Sequence, residues 1–384
     1  MKNVLFIASV YDHLAAFHKP FIKLLQDMGY SVHAAASPSM GRKEEISDLG
    51  VSCHDISFDR SPLSLDNMRA LKLLKKLFKG YSFDLVHVHT PVAALLTRMA
   101  LRKRKKEKVL YTAHGFHFYE GASKLNWLLY YNAEKMSVKW TDGILVMNNE
   151  DYSNALKLGY KEDKLFMVHG VGVGSKLLTD HELNVQKIKE ELNIEPHQKI
   201  ISFVAELNNN KNHQYLLRNW KNILKKCPNV MLLILGKGNK ESELKAYVED
   251  EKLKNIQFLG YRNDVHFILS MSEVATLLSK REGLPKSLME AMSQGVPCVV
   301  TDIRGSRDLI KNNENGYVVP LNNDETLINA FIKILQNDQL RDKMSKKSIE
   351  LVEPYLMSNV LKEYEFIYRK FLENDSVEKE RRLS

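Results

Sequence analysis

The stretch Val274-Ala-Thr-Leu-Leu-Ser-Lys-Arg-Glu-Gly-Leu-Pro-Lys-Ser-Leu-Met-Glu-Ala-Met-Ser-Gln-Gly-Val-Pro-Cys-Val-Val-Thr301 reads as strand, loop, helix and strand. Val274–Leu277 and Cys298–Thr301 are short apolar runs, as expected of strands covered on both faces, and a helix opens near Ser287. A strand joined to the next through a helix implies parallel pairing. The same rhythm runs outward in both directions. Towards the N-terminus the strand candidates are Ile256–Leu259, Val230–Leu235 and Ile200–Ala205, and Gly316–Val319 follows on the other side. A first series precedes them: Val4–Val10, Val32–Ala36, Asp84–His89, Val109–Ala113, Gly143–Met147 and Leu165–Val168. Amphipathic stretches lie between, including Phe17–Met28, Leu65–Lys79, Trp127–Trp140, Asp324–Gln336, Gln339–Val352 and Val360–Leu372.

The glycine-rich Gly170-Val-Gly-Val-Gly174 and the polar run to Asn193 interrupt the rhythm and read as an interdomain connection. A chain of 384 residues exceeds one ordinary core. The expected fold class is α/β: a Rossmann-like domain over 1–175, a second over 176–360 facing it across a cleft, and a terminal helix in 361–384 returning to the first, with a frayed tail. A composition of 44% hydrophobic and 27% charged residues suits a globular chain. Cys53, Cys227 and Cys298 form no CxxC pair, which argues against a disulfide framework or a zinc knot and favours a reducing cytoplasm. The N-terminal apolar run is too short for a secretory signal, and no stretch reaches the roughly eighteen apolar residues of a spanning helix.

The net charge is +9, and Arg102, Lys103, Arg104, Lys105, Lys106 and Lys108 concentrate part of it. Such a run suits an anionic membrane surface or a nucleic acid backbone, or a solvated helix end. Gly170–Gly174 lacks the G-x-G-x-x-G spacing, and Gly236-Lys-Gly-Asn-Lys240 is not a P-loop, which disfavours a dehydrogenase and an NTPase.

Chemistry concentrates after strands. Glu282 precedes the helix and Glu290 lies inside it, so the two carboxylates address opposite ends of an elongated ligand. The amides of Lys286 and Ser287 sit at the helix N-terminus, where N–H groups and the dipole favour phosphate. With this motif stand Thr112-Ala-His-Gly115, Glu206-Leu-Asn-Asn-Asn-Lys211, Phe258-Leu-Gly-Tyr261 and Asp302-Ile-Arg-Gly305, each at a strand end.

On these motifs the chain resembles glycosyltransferase family 4, a retaining group with the GT-B fold and an E-x7-E hallmark. The match spans almost the whole sequence. Ser9–Phe21, Thr112–Gly121 and Glu206–Gln214 look most like the EpsD-like enzymes of bacterial capsule and exopolysaccharide synthesis. The resemblance implies a nucleotide-sugar donor, with UDP expected, and a polyprenyl-diphosphate-linked saccharide as acceptor. It implies catalytic roles for His114, Glu282 and Lys211: His114 approaches the reacting centre, Glu282 holds donor-sugar hydroxyls, and Lys211 binds the diphosphate and stabilises its growing charge. Glu290 would accept from the ribose hydroxyls, Gly260 and Tyr261 border the base, and Gly283, Leu284, Pro285, Lys286 and Ser287 complete the donor loop together with Glu206.

Three departures from the family stand out. Glu206 occupies a position often held by arginine and cannot bind phosphate itself. Pro285 replaces a common glycine and removes one N–H, for which the charge of Lys286 compensates. The loop Ser9–Leu14 lacks the usual double glycine, so acceptor contacts there differ. There is no Asp-x-Asp to present a divalent cation to a diphosphate, so no metal and no cofactor are expected. His87 and His89 read as strand residues. The expected location is cytoplasmic, peripheral at the inner membrane face, with no nucleic acid partner. The alternatives are a nucleotide-sugar epimerase or sugar phosphorylase of the same architecture, and a non-enzymatic adaptor docked on membranes through the basic run.

Overall fold

The computed structural model describes residues 2–59, 61, 64–104, 106–175 and 181–373. They form two compact units, one of residues up to 171 together with those from 358 onward, the other of 172–357.

Unit 1 carries a seven-stranded parallel sheet built from β1 (Asn3–Val10), β2 (Ser31–Ser37), β3 (Ser52–Asp55), β4 (Leu85–His89), β5 (Lys108–Ala113), β6 (Gly143–Val146) and β7 (Leu165–Met167). The spatial order is β3-β2-β1-β4-β5-β6-β7, so the winding reverses between β1 and β4. Their register places Val4 opposite Leu85 and Ile7 opposite Val88. Helices cover both faces, and β1 and β4 are almost wholly buried, which is why they read as continuous apolar runs. Strand β3 escaped the sequence reading: Ser-Cys-His-Asp has neither alternation nor a β-branched residue, and it survives as a short edge paired to β2.

Two helical expectations change. The helix expected over Phe17–Met28 is present as Lys19–Asp27, and a further short helix, Tyr11–Phe17, precedes it, the two separated at His18. Pro20 has no N–H and its ring crowds the carbonyl four residues back, so one continuous helix cannot pass through it. Trp127–Trp140 is not uniform either: a π-helical turn Trp127–Tyr131 leads into a helix Asn132–Ser137 and a 3-10 turn Val138–Trp140.

The helix Met357–Leu372 packs on unit 1. There Tyr364 lies 4.2 Å from Phe21 between ring centres, and Tyr368 Oη meets His87 Nδ1 at 3.0 Å. The other ring nitrogen of His87 meets Thr112 Oγ1 at 2.7 Å, so this buried histidine is satisfied on both sides.

Unit 2 carries a six-stranded parallel sheet of β8 (Lys199–Val204), β9 (Val230–Leu235), β10 (Ile256–Gly260), β11 (Val274–Leu277), β12 (Cys298–Thr301) and β13 (Gly316–Val319), in the order β10-β9-β8-β11-β12-β13. Here the reversal falls between β8 and β11, where Ile201 faces Val274 and Phe203 faces Thr276. A large core fills the unit. It includes fully buried Trp220, whose indole N–H donates to Lys254 O at 2.7 Å. The polar run read as a connector contains the helix His181–Glu191; residues 176–180 of that run lie outside the described residues. All three cysteines are free, and among the described residues no helix is long and apolar enough to cross a membrane.

Candidate functional site

In an open parallel sheet the loops on either side of the winding reversal part and leave a crevice beyond the strand ends. In unit 2 those are the loop after β8, residues 205–212, and the loop after β11, residues 278–285. Polar bonds tie them together. Asn210 Nδ2 donates to Arg281 O at 2.9 Å, Lys280 N to Asn210 O at 2.8 Å and Asn212 Nδ2 to Leu278 O at 3.2 Å. The β8 loop is itself shaped by Asn208, whose Oδ1 accepts from the amides of Asn210 and Lys211 at 3.0 and 3.1 Å.

Across this seam Lys211 Nζ meets Glu282 Oε1 at 2.5 Å. The pair is mostly sheltered, with side-chain exposures of 21% and 11%. From β12's loop the buried Arg304 donates Nε to Glu282 O at 3.0 Å, so backbone and side chain of Glu282 each face a cation.

The helix after this loop runs Lys286–Ser293, with buried Pro285 at its N-cap and no side chain capping it. Its first N–H groups therefore remain available to a ligand anion. Leu284 packs against the core and anchors the loop, while Gly283 lies against Gly305: a Cβ on Gly305 would come 2.4 Å from Gly283 O, and Gly305 holds φ +75°. Lys286 Nζ lies 3.2 Å from Glu290 Oε1 one turn on, so the charge next to the uncapped end is already half balanced.

The neighbouring loops are laid backbone on backbone. A Cβ on Gly236 would stand 2.0 Å from Ala205 O, and one on Gly238 2.2 Å from Leu207 O. Leu207 N donates to Lys237 O and Lys240 N to Leu207 O, at 3.0 and 2.9 Å. Gly236 N reaches Gly260 O at 2.7 Å, and Gly260 turns with φ +65° to present Tyr261, which is 69% exposed. Glu206 projects from this wall into solvent. Thus Glu206, Lys211, Gly260, Tyr261, Glu282–Ser287 and Glu290 all lie beyond the carboxyl ends of the unit 2 strands. Asn208, Asn210, Asn212 and Arg304 belong with them as the scaffold of the Lys211–Glu282 pair. In the sequence the asparagines showed only as a polar run before Lys211, and Arg304 only as part of the Asp302–Gly305 motif.

In unit 1 the reversal between β1 and β4 gathers histidines. His13 and His18 follow β1, His89 ends β4 and His114 follows β5; each offers a ring nitrogen, and these four atoms lie within 4.8 Å of one another. Burial pushes His114 well below the usual histidine range, with His13 and His87 adding to it, so its ring is neutral. His13 and His18 went unnoticed in the sequence because nothing in the spacing of Tyr11–Phe21 marks them as neighbours of residues 76 and 101 positions further on (13 to 89, 13 to 114).

The basic run is divided in its duties. Arg102, Lys103 and Lys106 are exposed, while Arg104 is held by buried Glu107 at 2.6 Å and also donates to Phe78 O. Lys108 is half-buried as the first residue of β5. Lys105 lies outside the described residues.

Two Rossmann-like units, the second with a lysine–glutamate pair and an uncapped helix end at its sheet reversal, define a GT-B glycosyltransferase. The chain belongs to the group 1, family 4-like glycosyltransferases: the pattern of the Glycosyl transferases group 1 matches residues 184–351, and that of the Glycosyl transferase 4-like family residues 3–148. It is 32% identical to EpsD of Bacillus subtilis (strain 168), a protein assigned by its name to the glycosyltransferases, over 98% of this chain and 99% of that one. It is 31% identical, over 77% of its length and 75% of the relative's, to the UDP-Gal:alpha-D-GlcNAc-diphosphoundecaprenol alpha-1,3-galactosyltransferase of Escherichia coli. Among solved structures, Anabaena Alr3699/HepE in complex with UDP and glucose superposes with a TM-score of 0.79 at 14% identity, covering 96% of this chain and 100% of that one, a likeness of fold.

Proposed function

We propose that this glycosyltransferase moves a sugar from a UDP-sugar to a hydroxyl of a polyprenyl-diphosphate-linked saccharide, with retention, in capsule or exopolysaccharide synthesis. The observation that carries this reading is the Lys211–Glu282 pair at the sheet reversal, one short loop before the uncapped helix end at Lys286. A diphosphate at that end would meet helix amides, and Lys211 would turn part of its charge from Glu282 to the phosphate. Glu282, released from the ammonium, would then accept from sugar hydroxyls. As the bond from the anomeric carbon to the diphosphate oxygen breaks, the acceptor oxygen bonds to that carbon and its hydroxyl proton passes to the departing diphosphate oxygen; the negative charge that builds on the leaving group is stabilised by Lys211 and the helix amides. In this reading lysine, amides and dipole replace a divalent cation at the diphosphate. Glu290 holds the ribose and Tyr261 flanks the base. His114, neutral and half-buried, donates a hydrogen bond to substrate.

The lipid-linked acceptor is supported by the E. coli relative, whose name gives a diphosphoundecaprenol-linked substrate. A position at the inner membrane face is supported by the exposed charges of Arg102, Lys103 and Lys106. The test is calorimetric titration of UDP with and without EDTA, on the wild type and on Glu290→Ala. Saturable binding that EDTA leaves alone and that the substitution weakens about tenfold, as for one lost charged hydrogen bond, supports the reading. No heat from UDP, GDP or ADP at millimolar concentration overturns it.

A further inference from the structure

Four imidazoles converging in one cluster with no carboxylate among them call for an explanation beyond sugar transfer. His18 and His89 are fully buried and His13 and His114 partly so. The two close approaches within the cluster are His18 Nε2 to His13 Nε2 and His89 Nδ1 to His114 Nε2, both 3.3 Å. That is long for a hydrogen bond, whose heavy-atom separation centres near about 2.9–3.0 Å. It equals the edge of a tetrahedron around a metal: with ligand nitrogens at about 2.0–2.1 Å from zinc, adjacent nitrogens stand about 3.3–3.4 Å apart.

We propose that unit 1 binds one zinc-type divalent transition-metal ion through one nitrogen each of His13, His18, His89 and His114. The donor set is all imidazole, which suits zinc, copper and nickel and disfavours magnesium and calcium. The ligands arrive from three segments, after β1, at the end of β4 and after β5, so the sheet itself holds them in place. Phe6 stacks on the His89 ring at 5.8 Å and 10°, fixing its plane. His13 and His114 keep partial exposure and leave a path for the ion from solvent. Coordination takes up a His114 nitrogen, so metal and a substrate contact at that atom exclude each other.

The test uses full-length protein free of any polyhistidine tag, stripped with chelator and titrated with Co(II) as a spectroscopic stand-in. One equivalent should produce the intense visible bands of tetrahedral cobalt, bleached on addition of Zn(II). His13→Ala should weaken binding by about 100-fold or more, since losing a ligand exceeds the 10–100-fold cost of losing a ligand's outer partner. His54→Ala, in the separate His33–His54 pair 3.1 Å apart, should leave it unchanged. X-ray absorption of the zinc-loaded wild type, which needs no variant to fold, should show four imidazole nitrogens near about 2.0 Å. Absence of a tetrahedral cobalt spectrum at one equivalent, undiminished binding in His13→Ala, or a zinc shell with fewer than three imidazoles overturns the proposal. Each readout is metal content or coordination, so the transfer reaction can fail its own test without affecting this one.

Discussion

Lys211→Ala separates the roles assigned to the unit 2 site. The substitution removes an ammonium 2.5 Å from Glu282 Oε1 and leaves a carboxylate that is 11% exposed facing no side-chain cation. Arg304 still donates to Glu282 O, so the loop keeps its place. A hydrogen bond to a charged group contributes about 1.5–3 kcal/mol, so UDP should bind roughly 10- to 150-fold more weakly. Turnover should fall further, by about 100- to 1,000-fold in kcat, because the charge Lys211 meets is larger in the transition state than in the bound donor. The cost to folding is about 1–3 kcal/mol for the stranded carboxylate, which for a unit of this size lowers Tm by roughly 2–4 °C per kcal/mol. Glu282→Gln has the opposite signature at the nucleotide: it frees Lys211, so UDP should bind as well as before or better, while turnover drops. Calorimetry for UDP, single-turnover kinetics for transfer and circular dichroism for folding measure the three quantities apart. If Lys211→Ala stays folded and binds UDP, GDP and ADP within about twofold of the wild type, a difference under 0.5 kcal/mol, the charge-transfer argument is wrong.

Gly236→Ala puts a Cβ 2.0 Å from Ala205 O at φ +139°, so it should destabilise unit 2 by about 3 kcal/mol and loosen the loops beside Tyr261; an unshifted urea midpoint would contradict the packing. His213 is 1% exposed and burial, with Lys211 nearby, lowers it from 6.5 to about 3, so it is neutral when folded and takes up a proton on unfolding at any pH between those values. Its contribution is therefore present above about pH 6.5 and lost as pH falls: from pH 7 to pH 5 the wild type should lose about 2 kcal/mol more stability than His213→Leu, and parallel pH profiles from denaturant titrations would refute this. Reversing Arg102, Lys103 and Lys106 to glutamate removes three exposed cations at about 1 kcal/mol each near an anionic surface, so sedimentation with phosphatidylserine vesicles at low salt should weaken at least about 100-fold. Vesicle binding that survives would place the membrane contact elsewhere.

Much of the fold was legible because parallel strands buried on both faces leave contiguous apolar runs. The sequence therefore announced twelve of the thirteen strands among the described residues, all but the polar edge Ser52–Asp55. Glu282, Glu290 and the helix between them were equally legible, since strand, loop and helix follow one another within a single local stretch. The short helix Tyr11–Phe17 went unread, and the expected stretch Phe17–Met28 begins where it ends.

What the sequence by itself determined is the series of elements and the motif chemistry at their ends. Only the tertiary structure decided which of those ends meet. Lys211 and Glu282 are 71 residues apart, and they touch because β8 and β11 lie side by side where the winding reverses. His13, His18, His89 and His114 converge for the same reason at β1 and β4. Strand order is settled by how whole helices and strands cover one another's apolar faces, and no local pattern of residues records that balance.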